Sequence, residues 1–175
     1  MSAARRIDLE RFVPFRLNRL AAEVSRALAR VYGERFGIDI PEWRIIATLG
    51  DRGRARAQDI ALSTRMHKSM VSRAVARLIE LGWVARTSGA RDRREAPLAL
   101  TPAGCEVYEQ LVPVVLGYQD RLLAALTGSE RQTLDRLLDK LERQLDLPCR
   151  PERPEPRRGD TAAALPEASS ASPAD

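Results

Sequence analysis

Aromatic side chains are scarce in this chain. They make up 5% of it, so aliphatic residues must fill most of any core. There are two cysteines, Cys105 and Cys149, 44 positions apart, and no CxxC pair. A disulfide framework and a cysteine zinc site are therefore not expected. The single histidine, His67, leaves neither a His-rich metal centre nor a Ser-His-Asp triad. No Gly-rich phosphate loop and no nucleophile-and-base pairing stands out. The expectation is a non-enzymatic protein with no catalytic residues, no metal and no cofactor. No run of about 18 apolar residues occurs, which excludes a transmembrane helix. The N-terminal MSAARRIDLERF lacks the apolar stretch of a secretory signal, so a cytoplasmic location is expected.

What is present suits one globular domain. The 175 residues are 44% apolar, enough for a core with some chain to spare. The formal net charge of +5 is unevenly spread. Between Arg52 and Glu95 stand eleven Lys and Arg against four Asp and Glu. That 44-residue segment carries +7, and the remainder of the chain −2. Such a block inside a near-neutral frame suggests a surface facing a polyanion. The alternatives are a plain solvated face, or a non-enzymatic interaction module whose basic lobe docks an acidic protein.

Helical spacing runs from about Leu9 to Arg35, with Val13, Leu17, Leu20, Val24, Leu28 and Val31 on one side. A helix of that length spans roughly 40 Å. This exceeds what a small domain needs for its own core, so the helix invites an intersubunit role. Pro14 falls in its first turns and Gly37 is its expected cap. A short helix, Glu42 to Leu49, follows, with Trp43, Ile46 and Leu49 inward and Gly50 and Gly53 as breakers. Ala57 to Ser63 is a second short helix. Met66 and His67 form a tight turn, and Lys68 to Leu81 is a third helix with Val71, Val75, Leu78 and Ile79 on its apolar side. Val84 to Arg86 and Leu98 to Leu100 are strand candidates flanking a polar hairpin tip, Ser88 to Arg94. Thr101-Pro102 starts a helix running to about Ala125, in which Pro113 produces either a kink or a division into two helices. Thr127 and Glu130 fit a capping box ahead of a helix bearing Leu134, Leu137, Leu138, Leu141 and Leu145. From Pro148 onward six of the eleven prolines appear with one large aliphatic residue, Leu165. That composition predicts a disordered tail.

Short helix, short helix, tight turn, longer helix and basic hairpin is the layout of a winged helix-turn-helix. The longer helix would present His67, Lys68, Ser69, Ser72 and Arg73 to base edges in the major groove. Hydroxyls bond bases or phosphates, and arginine grips guanine at two points. Arg77, one turn on, would reach a phosphate. Arg91, Arg93 and Arg94 at the hairpin tip would follow the neighbouring minor groove, where negative potential concentrates. Asp92 suits a partner that orients an arginine. Arg73 and Arg77 could equally be salt-bridged surface residues.

These segments resemble the MarR family of transcription regulators, over roughly Leu9 to Leu147. KSMVSRAVARLIELGWVAR (68–86) resembles the family's recognition helix and first wing strand. Asp92-Arg93-Arg94 matches its wing motif, and LALTPAG (98–104) its second wing strand and the start of a dimerisation helix. IPEWRIIATL (40–49) resembles the helix supporting the DNA-binding lobe. The resemblance implies a mainly α fold with a small β-hairpin wing: a winged helix-turn-helix with long N- and C-terminal dimerisation helices. The implied division is 1–37 for the N-terminal dimerisation helix, 38–101 for the DNA-binding lobe, 102–147 for the C-terminal dimerisation helices and 148–175 for the tail. It implies a homodimer on a pseudo-palindromic operator, with Arg94 in the minor groove braced by Asp92. Pro97 departs from this pattern, because it removes a donor from the second wing strand.

Family members respond to small phenolic or aromatic acids or their thioesters, so the implied function is a repressor relieved by such a ligand. Arg16, Arg19 and Arg44 are the cations for a carboxylate, and Phe12, Phe15, Trp43 and Tyr118 the rings. Trp43 could instead be core, and Arg16 and Arg19 a solvated face. A peroxide-sensing branch uses a cysteine near the first helix, and none precedes Cys105. Cys105 is expected to pack as a small hydrophobe.

Overall fold

A computed structural model of the chain describes residues 6–87 and 96–147. The elements in order are α1 (Val13–Phe36), α2 (Ile40–Arg52), β1 (Arg54–Ala55), α3 (Ala57–Thr64), α4 (Lys68–Glu80), β2 (Val84–Arg86), β3 (Leu98–Leu100), α5 (Pro102–Leu123) and α6 (Gly128–Gln144). The fold is mainly α with a small antiparallel sheet, as the sequence predicts. The chain divides into two units, Met1–Gln132 and Thr133–Asp175.

In the first unit, α1 begins at Val13 rather than Leu9. Asp8 closes a turn instead: its carbonyl accepts from Arg11 N–H at 3.1 Å and its carboxylate from Glu10 N–H at 3.1 Å. Short acidic side chains compete with a helical backbone in this way. Pro14 follows in the first turn, where no N–H is needed. Gly37 ends the helix at φ 65°, with its N–H on the Gly33 carbonyl.

Helix α2 opens with a capping box. Asp39 Oδ1 accepts from Glu42 N–H at 2.9 Å, and Glu42 Oε2 accepts from Asp39 N–H at 2.8 Å. The expected break at Gly50 does not occur, because the helix continues to Arg52 and only Gly53 stops it. Gly50 lies instead under the Tyr108 ring of α5, where a Cβ would come within 2.4 Å of the ring carbons.

Strand β1 was not foreseen, since two residues carry no periodicity. It pairs with β3 (Arg54 opposite Ala99), and β2 pairs with the other edge of β3 (Val84 opposite Leu100). β3 is thus the central strand and its Leu98 is fully buried. Pro97 falls just before β3, outside it, and its carbonyl still accepts from the Thr87 N–H at 2.8 Å. The core joins Tyr32, Ile45, Ile46, Leu49, Ile60, Val71, Val75, Leu78, Val84, Leu98 and Leu111. It is aliphatic apart from Tyr32, on which the half-buried Trp43 stacks at 5.6 Å. Ile79, expected inward, lies at the rim, and Ala74 takes the buried place on α4.

Helix α5 is one helix through Pro113, not two. Thr101 caps it by accepting from Gly104 N–H at 3.0 Å and donates its own hydroxyl to the Gly82 carbonyl at 2.6 Å. The Trp83 carbonyl accepts from Thr101 N–H at 3.0 Å. The beginning of α5 is therefore bound to the turn that closes α4. Cys105, in the first turns of α5, is exposed rather than packed as a small hydrophobe. At Thr127 the expected capping box forms, with Glu130 Oε2 accepting from Thr127 N–H at 2.8 Å.

In the second unit the described residues continue α6 and end in a turn with Asp146 at φ 50°. Leu134, Leu137, Leu138, Leu141 and Leu145 are all exposed there. Residues 148–175, where the tail was expected to be disordered, lie outside the described residues.

Candidate nucleic-acid interface

Two helices and the turn between them place the predicted DNA-facing side chains. Helix α3 closes with paired reverse bonds, Arg65 N–H to the Leu62 carbonyl at 3.4 Å and Met66 N–H to the Ala61 carbonyl at 3.1 Å. This is a Schellman ending, and it puts Arg65 at φ 55°, a left-handed conformation usually left to glycine. Met66 is buried and pins the turn to the core. His67 then caps α4: its Nδ1 accepts from Ser69 N–H at 3.3 Å and lies 2.8 Å from Ser69 Oγ. With Nδ1 as acceptor, the ring proton resides on Nε2.

Val71, Ala74, Val75 and Leu78 turn α4 toward the core. On the remaining surface Lys68, Ser69, Ser72 and Arg73 are exposed together. Ala76, which sequence reading passed over, shares this exposed side one turn beyond Ser72. Among the described residues Arg73 has no hydrogen-bond or ion-pair partner. Arg77 differs. Its Nε lies 2.7 Å from Oε1 of Glu42, a residue only 3% exposed, and its Nη2 donates to the Gly37 carbonyl at 3.4 Å. The predicted phosphate contact is thus already engaged within the fold. Glu42 escaped the sequence reading, although the Asp39…Glu42 spacing of a capping box was visible. The wing residues Arg91, Asp92, Arg93 and Arg94 lie outside the described residues.

The residues singled out for an aromatic ligand form two groups. On α1, Arg19 lies 5.5 Å from the centre of the Phe15 ring and pairs with Glu10 at 3.2 Å, while Phe12 and Arg16 are exposed. On α2, Trp43 stacks on Tyr32, and Arg44 Nη1 donates to the Thr64 carbonyl at 3.5 Å. Tyr118 is half-buried on α5. Among the described residues no hydrogen bond, ion pair or ring contact joins these groups.

Burial pushes the Tyr32 hydroxyl up from 10.0 to about 12, with nearby Arg44 opposing the rise and Asp39 adding to it. Unfolding releases this phenol to its ordinary value. Between the two values the unfolded chain loses the proton while the folded one keeps it. Its contribution to stability is therefore whole below pH 10.0 and is lost as pH climbs toward about 12. An ultraviolet titration of the three tyrosines should show one late phenolate step near pH 12 that Tyr32→Phe abolishes. Normal titration of all three would contradict the buried placement.

Among the described residues no group of three or more His, Cys, Asp or Glu could hold a metal ion. No helix among them is long and apolar enough to cross a membrane.

A sequence profile of the MarR family matches residues 36–95, from the end of α1 through the wing. The HTH-type transcriptional repressor IacR of Pseudomonas putida is 25% identical over 129 residues, covering 68% of this chain and 77% of that protein. The crystal structure of a MarR/EmrR family transcriptional regulator from Acinetobacter sp. ADP1 superposes with a TM-score of 0.72 at 29% identity, covering 80% of this chain and 99% of that one. BpsR of Bordetella bronchiseptica, whose DNA binding is regulated by 6-hydroxynicotinic acid, shares the fold at a TM-score of 0.62 and 20% identity, covering 73% of this chain and 98% of that one. The helix-turn-helix geometry, the matched segment and these relatives agree, and together they support a winged helix-turn-helix transcription regulator of the MarR type.

Proposed function

We propose that the protein is a homodimeric repressor that reads a pseudo-palindromic operator and is released by a small aromatic acid or its thioester. The observation that carries this reading is the exposed side of α4. Lys68, Ser69, Ser72 and Arg73, which has no partner among the described residues, stand together on a helix anchored from behind by four buried aliphatic residues. A rigid helix that exposes the Ser72 hydroxyl and the Arg73 guanidinium is suited to contact base edges. His67 and Ser69, already bonded to each other, orient the first turn. The wing residues Arg91, Arg93 and Arg94, with Asp92 as brace, supply the minor-groove contact.

Dimerisation is supported by apolar side chains that the single chain leaves uncovered. Val13, Leu17 and Leu20 on α1 are each more than two-fifths exposed, as are Leu137, Leu138 and Leu141 on α6 and Leu145 just past its end. Stripes of this kind mark association surfaces. For the ligand, Phe15 with Arg19 puts a ring beside a guanidinium, the chemistry an aromatic carboxylate requires, and α2 offers Trp43 and Arg44 as a second ring and cation. Arg16 on α1, Phe12 at its cap and Tyr118 on α5 are the further candidates for lining. A ligand that fits one arrangement of the dimer better would shift the spacing of the two α4 helices.

Selection of bound sequences from random DNA, with and without a panel of aromatic acids, tests the reading, alongside sedimentation of the free protein. The expected result is a dimer, two half-sites about one helical turn apart, and loss of retained DNA with at least one acid. Log affinity should fall linearly with log salt. A monomer, or a pool without enriched sequence, would overturn it.

A further inference from the structure

We infer that the Glu42–Arg77 ion pair is a latch that sets the pose of α4 on DNA, with Arg77 acting as a positioning residue and not as a phosphate contact. The inference rests on the reading of α4 as the recognition helix.

Glu42 is the only buried charged residue among those described. A carboxylate in that position is unfavourable unless each oxygen is satisfied. Both are: Oε2 takes the Asp39 N–H at 2.8 Å, and Oε1 meets Arg77 Nε at 2.7 Å. Capping α2 uses only the first of these bonds and functions equally well at an exposed helix end. The second bond has a different geometry, since it crosses from α2 to α4. The same guanidinium continues to the Gly37 carbonyl, at the end of α1. One side chain of α4 therefore holds the C-cap residue of α1 and the first turn of α2 together. Buried ion pairs are poor sources of net stability, and their best-attested use is to fix one register among several packings. The aliphatic contacts of Val71, Ala74, Val75 and Leu78 anchor α4 but are non-directional, so by themselves they leave it a residual rotational freedom. The directional bond removes that freedom, and base readout needs it removed, because a misplaced helix keeps its charge but loses its bidentate contacts.

The two roles open to Arg77 differ in what they do to random DNA. A phosphate contact adds affinity for any duplex, and its loss lowers the salt slope by about 0.9. A latch leaves random DNA alone and acts on operator only. Glu42→Gln is the decisive variant. Glutamine keeps an oxygen for the Asp39 N–H, so the capping box survives. Its remaining donor then faces the donor of Arg77, and the latch is broken.

The experiment measures full-length wild type, Glu42→Gln, Arg77→Met, Arg77→Lys and the Glu42→Gln/Arg77→Met double variant on operator and on random duplex across a salt series. Each is held well below its own melting midpoint. The expected result is an operator affinity about tenfold lower for both single neutralising variants, a double variant no worse than either, no rescue by Arg77→Lys, and unchanged affinity and slope on random DNA. Weaker random binding with a smaller slope in Arg77→Met, restored by Arg77→Lys, would overturn the latch in favour of a phosphate contact. Operator binding at wild-type strength by Glu42→Gln would also overturn it. Arg73→Ala run in parallel separates the two levels. If it loses operator while Glu42→Gln does not, only the latch fails; if both bind as wild type, the assignment of α4 fails as well.

Discussion

A Gly104→Ala variant unfolds at a much lower urea concentration than the wild type, with a stability loss of about 3 kcal/mol and an unchanged m-value. The reason is a single close approach. A Cβ on Gly104 would lie 1.9 Å from the Trp83 carbonyl oxygen and 2.9 Å from its carbon. That oxygen is backbone, and it is already accepting from Thr101. It cannot turn aside as a side chain can, so α5 must lift from the end of α4 or the turn must deform. Alanine's advantage over glycine in a helix, about 1 kcal/mol, is too small to offset this. Gly50→Ala is the contrasting case. Its Cβ would meet the Tyr108 ring at 2.4 Å, and a half-buried ring can rotate away. Its loss should be nearer 1 kcal/mol. Equal midpoints for Gly104→Ala and wild type would mean that α5 does not start against Trp83.

Arg73→Ala weakens operator binding by about 1–3 kcal/mol, roughly 5- to 150-fold, and flattens sequence preference at one position of each half-site. Arg73 is exposed and has no partner among the described residues, so its removal leaves no buried charge behind and the melting temperature should hold. Arg73→Lys should not restore the preference, because an ammonium cannot make the paired contact that a guanidinium makes with guanine. Selection from random DNA reads this directly. A preference profile identical to that of the wild type would remove Arg73 from base readout, whatever happened to affinity.

Much of this architecture could be read from side-chain spacing and capping chemistry. Val71, Val75 and Leu78 marked the buried side of α4, and the strand limits at Val84–Arg86 and Leu98–Leu100 agree with the structure. Gly37 and the Thr127–Glu130 box acted as written. Three of the misses share a cause, because each depended on a partner distant in sequence. Gly50 looked like a helix breaker, but Tyr108, 58 positions on, makes it a contact point inside a helix. Glu42 went unremarked because its ion-pair partner, Arg77, is 35 positions on. Ile79, expected inward, lies at the rim, and Ala74, which the spacing did not single out, is buried. β1 exists only because β3 offers an edge. Of the site, the exposed side of α4 was legible as a pattern, whereas the engagement of Arg77 was not, since nothing in a one-dimensional pattern distinguishes a free arginine from a bound one.

The turn between α3 and α4 holds a residue in a conformation that suits it badly. Arg65 at φ 55° gives up about 1–2 kcal/mol relative to a glycine there. A glycine would relieve the strain at that corner, yet it would also delete a cation two residues ahead of the cap of α4. Backbone comfort and attraction to a polyanion thus compete at one position, and this chain has resolved the competition toward charge.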